Sequence, residues 1–261
     1  MANYPDNQIA ADLLHFSLIL YALPIERTRT LIPDPLSAEE SLLKGNKVAW
    51  LSVVSSLDQG SQTVSRTAFE QTCYRLHVLH NGQPANLLFG ISVGSLSAVA
   101  TRNLWPMPWH LSAMEFQVSY DQTEGRYHDY RLQTQSQWAN ASWVIKDAGK
   151  SLLAEDLKFS SLPAFLSAST VNNYFIRRDG SMGLYKVRYH NLALTSGKLN
   201  SARSDMLGRL GLLSREEFKR PSLVAIQQRV SCQIFPPTIL GESKSSIRRS
   251  ETNLVRFAFA S

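Results

Sequence analysis

Three groupings of residues in this chain could carry chemistry. Gly90-Ile91-Ser92-Val93-Gly94 is a GxSxG sequence that follows an apolar run and precedes a helical one, as the nucleophile elbow of a serine hydrolase does. Asp179 and His190 follow in the chain order that such a hydrolase uses for acid and base. That fold needs a parallel sheet with repeated βα crossovers, however, and the segments around Ser92 read as hairpin-linked strands, so a structural origin of the pattern is preferred. The second grouping lies in the strand-like run from Ala68 to Leu79, where Gln71, Cys73, Arg75 and His77 share one face and Thr72, Tyr74, Leu76 and Val78 share the other. That polar face looks either into solvent or into a cavity. In a cavity, the forked donors of Arg75 would clamp a planar carboxylate. The third is the segment from Thr101 to Met114, which sets Arg102, Trp105, Trp109 and His110 around Pro106 and Pro108. The prolines fix the backbone, so these side chains form either the wall of a pocket or an aromatic plug closing the end of a barrel.

Metal and thiol chemistry is not expected. The histidines His15, His77, His80, His110, His128 and His190 form no HExxH, and His77 and His80, three apart in a strand, face opposite ways. Cys73 and Cys232 lie in separate strand-like runs outside any CxxC pair, which suits buried thiols in a reducing compartment.

The elements that must position these residues are mostly strands. Period-two alternation marks Ser112 to Tyr120, with Met114, Phe116, Val118 and Tyr120 on one face, and Ser222 to Phe235. Val48 to Val54, Leu87 to Val93, Tyr127 to Gln133, Trp138 to Ile145 and Tyr174 to Tyr189 are further strand candidates, the last folded into a hairpin at Arg178-Asp179-Gly180-Ser181. Short helices are predicted at Glu26 to Leu31, Leu96 to Leu104 after Ser95, Ala164 to Thr170, and Asp205 to Leu213 after Ser204. Many strands with few helices predict a mainly β (α+β) protein, an antiparallel barrel-like sheet system with short flanking helices.

Composition sets the outer bounds. Hydrophobic residues make up 44% of the 261 residues and charged residues 18%, enough apolar material for a closed core. One domain over residues 1–240 is expected, followed by a mobile Ser- and Arg-containing tail over 241–261. The formal charge of +6 places Lys244, Arg248, Arg249 and Arg256 against Glu242 and Glu251 in that tail, leaving no basic block in the body that would mark a nucleic-acid partner. The most apolar stretch, Leu13 to Ile25, is interrupted by His15, Ser17 and Pro24, so no membrane span is expected. The first basic residue is Arg27, which argues against a targeting segment and for a cytoplasmic location.

From Phe89 to Met114 the chain resembles the uncharacterised bacterial YqjF-like family of the acetoacetate decarboxylase-like superfamily, through Phe89, Ser92, Val93, Arg102, Pro108 and Ala113-Met114. The resemblance extends to Arg29-Thr30-Leu31-Ile32-Pro33, Trp50, Arg75-Leu76-His77-Val78, Phe165 to Tyr174, Tyr189-His190 and Ser231 to Pro237, nearly everything but the tail. It implies a β-barrel-like acetoacetate decarboxylase-like fold around a central cavity. It also sharpens the chemistry by subtraction. Decarboxylases of the superfamily use a lysine just after the proline matched by Pro108 to form a Schiff base, and this chain has Trp109-His110 there, with no lysine between Lys47 and Lys146. The family's glutamate-x-asparagine-x-arginine strand reads Gln71-Thr72-Cys73-Tyr74-Arg75, with Glu70 one residue away.

Three functions follow as expectations. The favoured one is a small-molecule binding protein holding a carboxylate or keto compound against Gln71, Arg75, Arg102, Trp109 and His110, with no cofactor and with the oligomeric state left open. The second is a lysine-independent lyase or hydratase with His110 as general acid or base. The third is a hydrolase acting through Ser92.

Overall fold

The computed structural model describes residues 8–60, 67–152, 170–190 and 192–242. In chain order the strands are β1 (Ile9–Pro24), β2 (Leu36–Ala38), β3 (Ser41–Leu43), β4 (Asn46–Asp58), β5 (Phe69–His80), β6 (Gln83–Val93) and β7 (Trp109–Leu111). They continue as β8 (Ala113–Asp121), β9 (Arg126–Gln135), β10 (Ala141–Ser151), β11 (Thr170–Ile176), β12 (Ser181–His190), β13 (Thr195–Ser204) and β14 (Leu223–Glu242). All belong to one hydrogen-bonded sheet. Seven of them close a barrel in the order β1-β4-β5-β6-β11-β12-β14, with β14 returning to β1. From β14 the sheet continues through β13, β10 and β9 to β8, a flank that folds back over the barrel wall.

This construction explains which strands were legible. The barrel wall under the flank is apolar on both faces, so there are two cores. One fills the barrel, with Phe16, Leu18, Leu88, Ile91, Phe175 and Ile234. The other lies between wall and flank, where Ile19, Tyr21, Leu51, Tyr74 and Phe89 meet Tyr130, Leu132 and Trp143. Strands covered on both sides show little polar alternation, which is why β1, the longest apolar run, carries no strand signature in the sequence although it pairs from Ile9 with Ile234 to Leu20 with Leu223. The polar β13 was missed for the opposite reason, since it buries little besides Leu199 and Ser204.

The hairpin between β11 and β12 turns at Gly180, whose φ of 83° needs glycine. Two pairings depart from the antiparallel expectation: β11 and β7 both run parallel to β6. Parallel neighbours require a long crossover, and here the chain between β6 and β11 first builds the flanking strands β8 to β10.

The helices are shorter than predicted. Glu26 to Leu31 forms two 3-10 turns, and the helix after Ser95 runs only from Leu96 to Ala100, without a side-chain cap. The helix Asp205–Arg209 starts where expected, because Ser204 Oγ accepts from Leu207 N. The predicted helix Ala164 to Thr170 lies outside the described residues except for Thr170, which opens β11. The expected tail begins on Gly241 and Glu242, which still belong to β14, and the rest of it also lies outside them. No helix among the described residues is long and apolar enough to cross a membrane.

Candidate functional site

The barrel encloses a cavity of about 30 Å³ to which all seven of its strands contribute side chains. The polar face of β5 supplies three of its neighbours: Gln71, Cys73 and Arg75 turn inward, while Tyr74, Leu76 and Val78 join the core outside the wall. The structure therefore decides the ambiguity of this strand in favour of the cavity.

Arg75 is 3% exposed. Its Nη1 donates to Asn173 Oδ1 at 3.4 Å, and Asn86 Nδ2 donates to the same oxygen at 3.1 Å. Asn173 Nδ2 donates in turn to the carbonyls of Val171 and Tyr185, each at 3.3 Å, so the amide is oriented with its oxygen toward the arginine. Tyr189 also engages Arg75. Gln71 Nε2 reaches Ser56 Oγ at 3.3 Å across the wall. The rest of the described lining is largely apolar, including Leu13, Val54, Leu88 and Ile91.

The charge of Arg75 is felt by the titratable groups around it. Burial pushes the Cys73 thiol up to about 11, with Arg75 pulling the other way. Burial, reinforced by Arg75, holds His77 neutral by lowering it to about 3. Burial raises the Tyr189 phenol, again opposed by Arg75. Burial raises the Cys232 thiol as well, so both thiols are protonated and poor nucleophiles.

Three expected site residues are elsewhere. Arg102 is engaged by a carboxylate of the chain itself: its guanidinium makes a two-pronged ion pair with Asp58, at 2.8 and 3.1 Å, both side chains being at most 1% exposed. It also lies 5.2 Å from the centre of the Phe69 ring. A buried guanidinium needs a buried carboxylate, and Asp58 at the end of β4 meets that need. Trp109 donates from Nε1 to the Leu104 carbonyl at 2.6 Å and packs with Leu104 and Met107 into the barrel core, away from the lumen lining, while Trp105 stays exposed on the surface. His110, two strands from Arg75, stacks on Trp138 at 3.8 Å with the rings 1° apart. Gly90 leaves room for that stack, since a Cβ there would come within 2.6 Å of Trp138 and 2.9 Å of His110 Nε2. Burial lowers His110 to about 4. It lies outside the described lining of the lumen.

Ser92 is no elbow. It sits inside β6, fully buried, between Thr72 of β5 and His110 of β7, while Asp179 caps the β11–β12 turn by accepting from Ser181. Asp121, Glu124 and His128 bring one potential metal-ligand atom each within 4.8 Å of one another at the β8–β9 hairpin, on the surface. Asp121 is already accepting from the Thr123 and Glu124 amides. A wider groove of about 380 Å³ runs over the surface between Trp105–Pro108 and Ile176–Asp179. Arg177 on its rim is paired with Asp179.

The family model whose description reads "uncharacterized conserved protein" and whose name is DUF2071 matches residues 10–230. The chain belongs to the DUF2071 family. Its fold is that of acetoacetate decarboxylase-like proteins. The acetoacetate decarboxylase of Legionella pneumophila superposes with a TM-score of 0.55 at 11% identity, over 92% of this chain and 90% of that one. An acetoacetate decarboxylase-like enzyme from Sphingomonas wittichii gives 0.55 at 10% identity, over 92% and 95%. The enduracididine biosynthesis enzyme MppR, solved with pyruvate, gives 0.51 at 13% identity, over 93% of each chain. No curated protein sequence matches. The chain thus shares the fold of acetoacetate decarboxylase-like proteins, the fold that its residues implied.

The sequence reading missed Asn173, Tyr189 and the partner Asp58. Asn173 carried a signal: alternation from Val171 to Phe175 sets it on an apolar face, where a polar side chain needs a reason.

Proposed function

We propose that this DUF2071 protein binds a small carboxylate or keto compound in the barrel lumen through Arg75, without Schiff-base chemistry. The observation that carries this reading is the buried guanidinium of Arg75 in the wall of the central cavity, beside the oriented amide of Asn173. An arginine held in a low-dielectric site binds a carboxylate more strongly than a surface one, because its hydrogen bonds are charge-assisted and the competing water is excluded. The apolar neighbours suit the short carbon skeleton of such a ligand. MppR, of similar fold, has been solved with pyruvate, which supports a ligand of this class. The volume limits it: about 30 Å³ is room for two or three waters at roughly 10–15 Å³ each. A two- or three-carbon acid enters only with side-chain movement.

The described lining contains no lysine, and Trp109, which follows Pro108, packs into the core. The alternative lyase through His110 would need a second site on the outer side of the wall, under Trp138. The binding site belongs to a domain that we take to span residues 1–240, with 241–261 as a tail.

Titration calorimetry with acetate and pyruvate tests the reading. Arg75→Gln should weaken binding by roughly 1.5–3 kcal/mol, the worth of a charged hydrogen bond. Treatment with borohydride and pyruvate should leave no reduced lysine adduct. Unchanged affinity in Arg75→Gln, or a lysine adduct in the lumen, overturns it.

A further inference from the structure

The flank that covers the barrel runs out of cover at its last strand. On its inner face Tyr130 and Leu132 of β9 and Trp143 and Ile145 of β10 are at most 3% exposed. Met114, Phe116, Val118 and Tyr120 of β8 lie on the same face and are only partly buried. Leu111, just before β8, is 59% exposed. Among the described residues β8 hydrogen-bonds to β9 alone, which leaves nine residues of strand edge open. Edge strands are normally protected by charged side chains, lysine above all, by proline, or by a bulge. The sequence of β8, AMEFQVSYD, has neither lysine nor proline, its charges are Glu115 and Asp121 alone, and its one register shift lies near its end, between Ser119 and Tyr120.

We propose that this edge is an interface: β8 pairs antiparallel with β8 of a second copy of this chain, joining two flanks into one continuous sheet about a two-fold axis. The register follows from parity and charge. Only registers that keep the four apolar residues on one face are allowed, because a one-residue slip turns every side chain over. Centring the pair on Glu115 sets that carboxylate against its own copy, and centring it on Val118 sets Glu115 against Asp121. Centring on Gln117 avoids both and uses the whole strand. It places Phe116 against Val118 and Met114 against Tyr120 on the inner face, continuing the core. On the outer face it places Gln117 against Gln117 of the partner subunit and Glu115 against Ser119 of the partner subunit. A second copy fits better than a basic peptide because the strand complements itself in this register, apolar against apolar and acid against hydroxyl.

The register makes unusual demands on substitutions, read by sedimentation equilibrium of the full chain over a range of concentrations. The parent should show a reversible monomer–dimer equilibrium. At position 117, which meets itself on the axis, both Gln117→Glu and Gln117→Lys should weaken the dimer. At position 119 the signs should differ: Ser119→Glu, facing Glu115 twice over, should weaken it about tenfold, and Ser119→Lys should tighten it, with salt reducing both effects. Thermal melts of each variant confirm that the fold is kept. A parent that stays monomeric at every concentration overturns the proposal, as does a dimer indifferent to the sign of the charge at 119. A chain ending at Glu242 should dimerise like the parent; if only the shortened chain dimerises, the C-terminal residues cover this edge and the proposal fails.

Discussion

Replacing Arg102 by alanine separates the two roles that an arginine near the barrel end could have. In the structure it holds Asp58 by two hydrogen bonds of 2.8 and 3.1 Å, with both side chains out of water. Asp58 Oδ1 accepts in addition from Gly60 N at 2.8 Å, and Arg102 lies against the Phe69 ring. Removing the guanidinium leaves a carboxylate in a dry site, which typically costs about 3–5 kcal/mol. Most of that is the penalty for the stranded charge rather than the worth of the pair. The double variant Asp58→Ala/Arg102→Ala should therefore be more stable than the sum of the single losses predicts, by roughly 1–3 kcal/mol. Urea unfolding of the parent, both single variants and the double variant measures the cycle. Carboxylate binding per folded molecule should be unchanged in Arg102→Ala, since Arg75 and not Arg102 borders the lumen. A loss below about 1 kcal/mol, the range of a surface pair, would refute the reasoning about burial, and a selective loss of binding would return Arg102 to the site.

Further outcomes follow from the same structure. His110 is lowered to about 4 by burial, so the unfolded chain takes up its proton first as pH falls. Stability should decline by about 1.5 kcal/mol from this group between pH 6.5 and 5, and His110→Gln should remove that share of the slope in urea midpoints while leaving the share of His77. A Cβ at Gly183 would stand 2.1 Å from Phe175 Cζ; Gly183→Ala should therefore destabilise by about 1–3 kcal/mol, seen as a lowered melting temperature. Ser92 is fully buried in β6, and a fluorophosphonate probe should leave it unlabelled, as mass spectrometry of the digested protein can check.

Much of the wall could be read from residue order alone. The period-two face of β5 was visible because it mixes polar with apolar residues, and the hairpin after Ile176 because Asp-Gly announces a turn. The missing lysine after Pro108 needed only the sequence. What Arg75 faces did not follow from it: a polar strand face looks the same whether it meets solvent or a lumen, and only closure of β14 onto β1 makes that face interior. Arg102 and His110 show the same limit more sharply. Both stand in a segment whose composition suits a pocket, yet one is claimed by Asp58, 44 residues earlier, and the other by Trp138, 28 residues later. Local sequence determines which way a side chain leaves its strand, because that is set by backbone pleat. What it meets there depends on partners brought together by a closed barrel and a folded-back flank, and those distances exist only in the tertiary structure.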